Sequence, residues 1–259
     1  MKFNTKLIAL GVTAFLLFLI ISAPASLITG AVASNSPVKF VQVSGSVWHG
    51  RSALIVGPQF TIGPVEWTLH PWYLLRGELA ADIVIHDSTT SGDIAGSTWA
   101  AVGLPGVIKL RDTNINAGAE WAFALAAIPI APRGRINVQI KQLEARRGTL
   151  PEITGMIDWQ NAGVTYPDEY DLGAYSIRLQ NEPENKPDRV VAHISDQNSP
   201  LHVRGQATLQ ADGSYQLDVR LSADPTAPPD IARVLPMLGR AQSDGSVRIQ
   251  RNGKLNDFM

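Results

Sequence analysis

The stretch Tyr215-Gln216-Leu217-Asp218-Val219-Arg220-Leu221 alternates apolar and polar side chains without interruption. Successive side chains of a β-strand point to opposite sides, so all the apolar members of this stretch share one face. The same alternation recurs at 135–141, 175–180 and 203–210. Alternation of this kind is typical of antiparallel strands that bury one face and expose the other.

The rest of the chain extends this pattern in both directions. Further strands are predicted at 40–48, 52–56, 59–69, 77–87, 93–102, 106–115, 153–160, 189–195 and 246–250. Asp212-Gly213 and Asp244-Gly245 mark tight turns between strands. Two short helices are predicted at 119–128 and 230–238. Without long helical crossovers a parallel α/β sheet is excluded. The sequence therefore predicts an all-β protein with a mainly antiparallel curved sheet, arranged as a sandwich or as a groove.

The N-terminal segment 7–28 carries no charged residue, and Lys2 and Lys6 precede it. Its 22 residues match the roughly 20 apolar residues that span a bilayer, and the flanking lysines predict a cytoplasmic N-terminus. The alternative is a cleaved signal peptide, with small-residue sites at Ala23-Pro24-Ala25 and Ala31-Val32-Ala33. Both hypotheses export the rest of the chain.

These patterns predict the organisation of the whole chain. It consists of a cytoplasmic N-terminus (1–6), a transmembrane anchor (7–28), a linker (29–39), an exported β domain (40–255), which could contain two related halves (40–117 and 133–222), and a frayed tail (256–259).

Composition excludes several classes of protein. The net charge is −1, which gives no electrostatic footprint for nucleic acid. The chain has no cysteine, so disulfides, thiol catalysis and cysteine-ligated metal centres are excluded. The hydrophobic content of 45% is enough for a sizeable core.

No catalytic motif is present in the sequence. The five histidines do not form a metal-ligand spacing, and the chain has neither a nucleophile elbow nor a phosphate-binding glycine loop. The acidic group Asp168, Glu169 and Asp171 lacks the spacing of a calcium loop, so an exposed turn is expected there. We therefore predict no catalytic residue, no metal ligand and no cofactor, and hence a protein that is not an enzyme.

Aromatic residues cluster within the stretch 62–77. Together with one upstream tryptophan they define a candidate interaction patch: Trp48, Trp67, Pro71, Trp72 and Tyr73. Three interpretations remain open at this point. The aromatics could cover an end of the core, dock a protein partner as interface hot spots, or lie at a membrane interface.

Several motifs carry a resemblance to a known family. They are Gly45-Ser46-Val47-Trp48-His49-Gly50, Ile62-Gly63-Pro64-Val65-Glu66-Trp67-Thr68-Leu69-His70-Pro71, Leu79-Ala80-Ala81-Asp82, Leu172-Gly173-Ala174-Tyr175-Ser176-Ile177-Arg178-Leu179, Leu209-Gln210-Ala211-Asp212-Gly213-Ser214-Tyr215, and the C-terminal run from Pro228 to Gly239 with Asp244-Gly245. In this order they resemble the type II secretion system protein N family, over nearly all of the chain.

The resemblance implies a bitopic protein of the inner membrane with a large periplasmic β domain. It implies an accessory component of the apparatus that exports folded periplasmic proteins across the outer membrane. Its expected partners are subunits of the inner-membrane platform or the secretin, together with the inner membrane itself. The fold also resembles AsmA-type periplasmic proteins, which implies an alternative role in lipid handling or outer-membrane assembly, with lipid as a further partner.

Overall fold

A computed structural model describes residues 5–58, 60–87, 93–104, 106–125, 131–165, 169–182, 189–225, 227, 235–236 and 239–254. The helices are α1 (Thr5–Ile21), α2 (Ser26–Asn35), α3 (Pro71–Leu74) and α4 (Ala119–Leu125). The strands are β1 (Lys39–Gly45), β2 (His49–Val56), β3 (Thr61–Ile62), β4 (Val65–Leu69), β5 (Glu78–Ile85), β6 (Ile94–Gly103), β7 (Val107–Gly118), β8 (Pro132–Ala145), β9 (Glu152–Val164), β10 (Tyr170–Asn181), β11 (Arg189–Asp196), β12 (Leu201–Gln210), β13 (Ser214–Ala223), β14 (Arg240–Ala241) and β15 (Val247–Lys254).

All of these strands belong to one antiparallel sheet with a nearly sequential order. From one edge to the other it runs β1-β2-β4-β5-β6-β7-β8-β9-β10-β11-β12-β13-β15-β14, and β3 adds to β2. No pairing joins the two edges among the described residues, so the sheet is open. The predicted all-β, mainly antiparallel class is confirmed, and the arrangement is a single sheet rather than a sandwich.

The predicted strand at 59–69 is divided in two. β3 ends at Ile62 and β4 begins at Val65, with Gly63 and Pro64 between them. Pro64 has no amide hydrogen to give to a neighbouring strand, and Gly63 adopts a φ of 137° that disfavours other residues. The chain therefore bends here and resumes pairing with β2 through Val65.

The predicted halves 40–117 and 133–222 lie in the same sheet, because β7 pairs with β8 along most of its length. Their relationship stays a prediction. Of the predicted helices, the first is confirmed as α4 over 119–125. Residues 126–128, most of the second helix at 230–238, the acidic residue Asp168 and the tail at 256–259 lie outside the described residues.

The N-terminal segment differs from the single helix expected at 7–28. α1 ends at Ile21, and α2 (26–35) covers the end of the predicted anchor and much of the linker predicted at 29–39. Pro24 explains the break, since proline disfavours a helical residue before it and removes a helical hydrogen bond. Pro24 instead forms a β-bridge with Ser46. No described helix is both long enough and apolar enough to cross a membrane.

Candidate interaction surfaces

The strand register places apolar side chains on one face of the whole sheet. Residues directly opposite each other in antiparallel strands share a face. The pairs Ile83–Thr98, Ile157–Ile177 and Leu217–Ala207 belong to this face, which continues from β1 to β15. The predicted one-sided alternation is therefore realised as a continuous apolar surface.

The opposite face is polar and is crossed by ion pairs. Lys109 Nζ donates to Glu78 Oε1 at 2.6 Å, between β7 and β5. The Arg248 guanidinium binds Asp218 across β15 and β13, and this bond holds the pKa of Asp218 below its usual range. This face requires no further covering to remain in water.

The apolar face is only partly covered by the rest of the chain. α2 packs over its β1 edge, and near its middle Phe123 of α4 packs on Trp159, with ring centroids 5.1 Å apart. Near the last strands, buried Leu235 packs with Val219, Leu221 and Val247. The chain exposes 16883 Å² of surface, whereas a compact monomer of 27.9 kDa exposes about 11,000 Å². Part of this surface lies on the apolar face, where Leu79, Val102 and Ile108 are 46%, 53% and 48% exposed.

A cleft of ≈ 370 Å³ opens between α2 and the first strands. Ile28 and Thr29 of α2 form one wall, and the apolar face of the sheet forms the other. The sheet contributes Phe40, Ile55, Ile62, Val65, Trp67, Leu69, Leu79, Ala81, Ile83 and Ile85. The exposed lining of the cleft is entirely apolar, which suits a hydrocarbon chain better than a peptide, whose backbone needs hydrogen-bond partners.

Two members of the predicted aromatic patch are engaged within the molecule. The Trp48 indole Nε1 donates to the Ile20 carbonyl oxygen at 2.8 Å, at the C-terminal end of α1. The Trp67 indole Nε1 donates to the Val47 carbonyl oxygen at 3.2 Å, and its ring lines the apolar cleft. Both side chains are half-buried. Together they join the turn between β1 and β2 to its neighbours.

The other three members lie around α3, between β4 and β5. Tyr73 is half-buried against Trp99 on the polar face, with ring centroids 5.5 Å apart. Pro71 is exposed, and Trp72 is 77% exposed. The five residues thus lie in or between the strands β1 to β5, but only Pro71 and Trp72 are exposed to a partner. Their role as an interaction patch remains a proposal.

Three exposed leucines that the sequence did not single out lie in the same turn as the exposed tryptophan or in the neighbouring turn. Leu74, Leu75 and Leu104 are 47%, 82% and 86% exposed. Leu104 belongs to the turn between β6 and β7, and its amide donates to the Gly77 carbonyl oxygen at 3.3 Å. We call Trp72, Leu74, Leu75 and Leu104 the rim. The available signal for Leu104 was an apolar residue in the gap between the predicted strands 93–102 and 106–115.

The acidic residues Glu169 and Asp171 form ion pairs with Arg133. Arg133 donates to Asp171 Oδ1 at 2.5 Å and also binds the Glu169 carboxylate. No group of three metal-ligating side chains occurs anywhere in the described part of the chain.

One histidine, His202, connects two turns of the sheet. Its Nδ1 lies 2.9 Å from Asp196 Oδ2, and its Nε2 lies 3.4 Å from Asp224 Oδ2. The bond to Asp196 raises the pKa of His202. Burial raises the pKa of Asp196, but the bonds from His202 and the Val203 amide outweigh it and leave that pKa below its usual range. Burial also raises the pKa of Tyr175 to about 12.

Comparison with known proteins covers almost the whole chain. The family model described as "Type II secretion system (T2SS), protein N" matches residues 36–250. The type II secretion system protein N of Aeromonas hydrophila is 25% identical, over 98% of this chain and 100% of that protein. Those of Vibrio cholerae serotype O1 and Pectobacterium carotovorum are 20% and 21% identical, each over 94% of this chain and over 95% and 94% of those proteins. No solved structure matches. The chain therefore belongs to the type II secretion system protein N family.

Proposed function

We propose that this chain is an accessory subunit of the type II secretion apparatus, held at the inner membrane, which acts through protein–protein contacts in the periplasm. The observation that carries the proposal is the similarity to three type II secretion system protein N chains over their full length. The apparatus moves folded periplasmic proteins across the outer membrane. Non-catalytic work of this kind fits a chain in which we predict no catalytic residue, metal or cofactor.

The proposed membrane attachment is α1, with the N-terminus in the cytoplasm and the sheet in the periplasm. The helix is apolar on all sides, and its large described side chains are exposed: Leu10, Val12, Phe15, Phe18, Leu19, Ile20 and Ile21. Such a surface is costly in water and favourable in lipid. Lys2 and Lys6 on its N-terminal side support the cytoplasmic orientation.

The proposed protein contact is the edge of the sheet at β15. Among the described residues, β14 pairs only with Val247 and Arg248, so between Ile249 and Gly253 the described strand neighbour of β15 is β13 alone. An unpaired edge offers backbone donors and acceptors to a strand from another protein. Arg251, which is exposed on this edge, favours a partner strand with acidic residues.

Site-specific photo-crosslinking in cells tests this contact. A photoreactive amino acid replaces Asn252 on the β15 edge or, as a matched control, Gln206 on the same polar face of the central strand β12. The proposal predicts crosslinks to platform or secretin subunits from position 252 that clearly exceed those from position 206. Equal crosslinking yields from the two positions would show that the β15 edge is not the contact.

A second candidate function is AsmA-like lipid handling, which the apolar cleft beside α2 supports. Purified full-length protein would then carry lipid that native mass spectrometry detects. Ala81→Phe places a ring in the cleft, whereas Val84→Phe places the same ring on the polar face of β5. Loss of lipid in the first variant alone favours this function. A lipid-free wild-type protein argues against it.

A further inference from the structure

The rim and the C-terminal end of α1 lie at the same end of the strands. Strands β1, β2, β4, β5, β6 and β7 are antiparallel neighbours, so the turns β1–β2, β4–β5 and β6–β7 share one end. The first of these turns holds α1, and the other two carry the rim. The residues that attach α1 and the residues that are most exposed and apolar therefore share one end of the molecule.

Hydrogen bonds connect these turns directly. Trp48 Nε1 donates to the Ile20 carbonyl oxygen of α1, and the Trp48 carbonyl oxygen accepts the Leu69 amide at 2.7 Å. Leu69 ends β4, and α3 follows it closely. Gly77, at the far side of this segment, accepts the Leu104 amide at 3.3 Å. The position of the rim relative to the end of α1 is thus fixed by the backbone of the sheet.

The composition of the rim matches a membrane interface. Trp72 and the three leucines are the apolar part, and the exposed Arg76 lies over the Tyr73 ring, with its Cζ 5.7 Å from the centroid. Tryptophan is enriched where protein meets lipid headgroups, and a cation there attracts anionic lipid. At the opposite end of β5 the chain exposes His86 and Asp87 instead. The two ends of the same strand therefore differ in the environment they suit.

We propose that the rim is a second membrane contact, in which Trp72, Leu74, Leu75 and Leu104 dip into the outer leaflet of the bilayer that holds α1. A single helix would let the sheet rotate about its attachment. Two adjacent turns in contact with the interface fix the orientation of the sheet, so that the strands β4–β7 extend away from the membrane. The cleft beside α2 then begins near the membrane at Leu79 and extends away from it to Ile85. This inference rests on the proposed membrane position of α1.

Fluorescent probes in lipid vesicles test the proposed membrane contact of the rim. The chain has no cysteine, so single substitutions label one position each. Full-length Leu75→Cys, Leu104→Cys and Asp87→Cys are labelled with an environment-sensitive fluorophore and reconstituted in phosphatidylethanolamine–phosphatidylglycerol vesicles that contain headgroup or acyl-chain spin labels. Phe15→Cys, in α1, reports on the membrane position of the helix itself.

If the rim contacts the membrane, we expect blue-shifted emission and strong quenching by headgroup spin labels at positions 75 and 104, and neither effect at position 87. Position 15 is then quenched more by acyl-chain labels. Rim probes that behave like position 87 would overturn the inference, whether or not position 15 is quenched. Rim probes whose emission shifts only when secretion subunits are added would likewise overturn the inference and identify a protein contact. If the probe at position 15 is not quenched, α1 does not lie in the membrane and the proposed attachment is wrong. The rim contact is still tested by comparing positions 75 and 104 with position 87.

Discussion

Replacing Trp48 with phenylalanine should loosen the junction between α1 and the sheet. The carbonyl oxygen of Ile20 is among the last carbonyls of α1, where it accepts only a long bond of 3.4 Å from the Ala23 amide, and the Trp48 indole donates to it at 2.8 Å. Phenylalanine retains most of the ring but removes this donor. A hydrogen bond of this type contributes about 0.5–1.5 kcal/mol, so the open form of the junction should become about 2- to 13-fold more populated.

Hydrogen exchange of the full-length protein in lipid nanodiscs measures this opening. The reporting amides are Val47, which donates to Ala23 at 2.8 Å, and Ala25, which donates to Gly45 at 3.1 Å. Both should exchange faster in Trp48→Phe by the factor given above. Trp159→Phe is the matched control, because it removes an indole bond of 2.9 Å to Arg133 within the sheet. Unchanged exchange at Val47 and Ala25 in Trp48→Phe would refute the reasoning.

Two further predictions concern stability. Leu221→Ala, within the buried cluster under Leu235, should lower the free energy of unfolding by about 2–4 kcal/mol. Leu79 is 46% exposed on the open part of the same face, so Leu79→Ala should lower it by about 1 kcal/mol or less. Urea titration of both variants measures the two losses, and equal losses would contradict an open face. The His202–Asp196 pair raises the pKa of the histidine in the folded state. Its stabilisation is therefore complete between about pH 4, above which Asp196 is ionised, and about pH 6.5, and it disappears as the pH rises through the raised histidine pKa. Unfolding midpoints measured against pH should show this loss in the wild type and lack it in His202→Gln; identical profiles would exclude the pair as its source.

Local sequence patterns were sufficient for most of the sheet. Strict alternation such as that at 215–221 identifies a strand with one buried face, and β13 occupies 214–223. Alternation depends only on neighbouring residues, so it survives without knowledge of the fold. The N-terminal segment was harder to predict, because its uniform hydropathy concealed the effect of Pro24, which ends α1 early and lets α2 fold back over β1.

The candidate site depended on contacts that sequence does not record. The sequence left open whether Trp48 and Trp67 cover the core or bind a partner, and the structure shows that each indole donates to a carbonyl, 28 residues away for Trp48 and 20 residues away for Trp67. The sequence did not single out Leu104. Its importance comes from the order of the strands, which places its turn beside α3 and near the end of α1. Long-range register therefore decides which apolar residues are available to a partner.

As a member of the type II secretion system protein N family, the chain is a type II secretion component, and its contacts are the part that remains to be measured. The most direct measurement is an affinity pull-down of the tagged full-length protein after mild crosslinking in cells, with proteins and lipids both identified by mass spectrometry. We predict recovery of platform or secretin subunits well above that obtained with an unrelated membrane-anchored control. Recovery of lipid alone, without any secretion subunit, would contradict the account and favour the lipid-handling function.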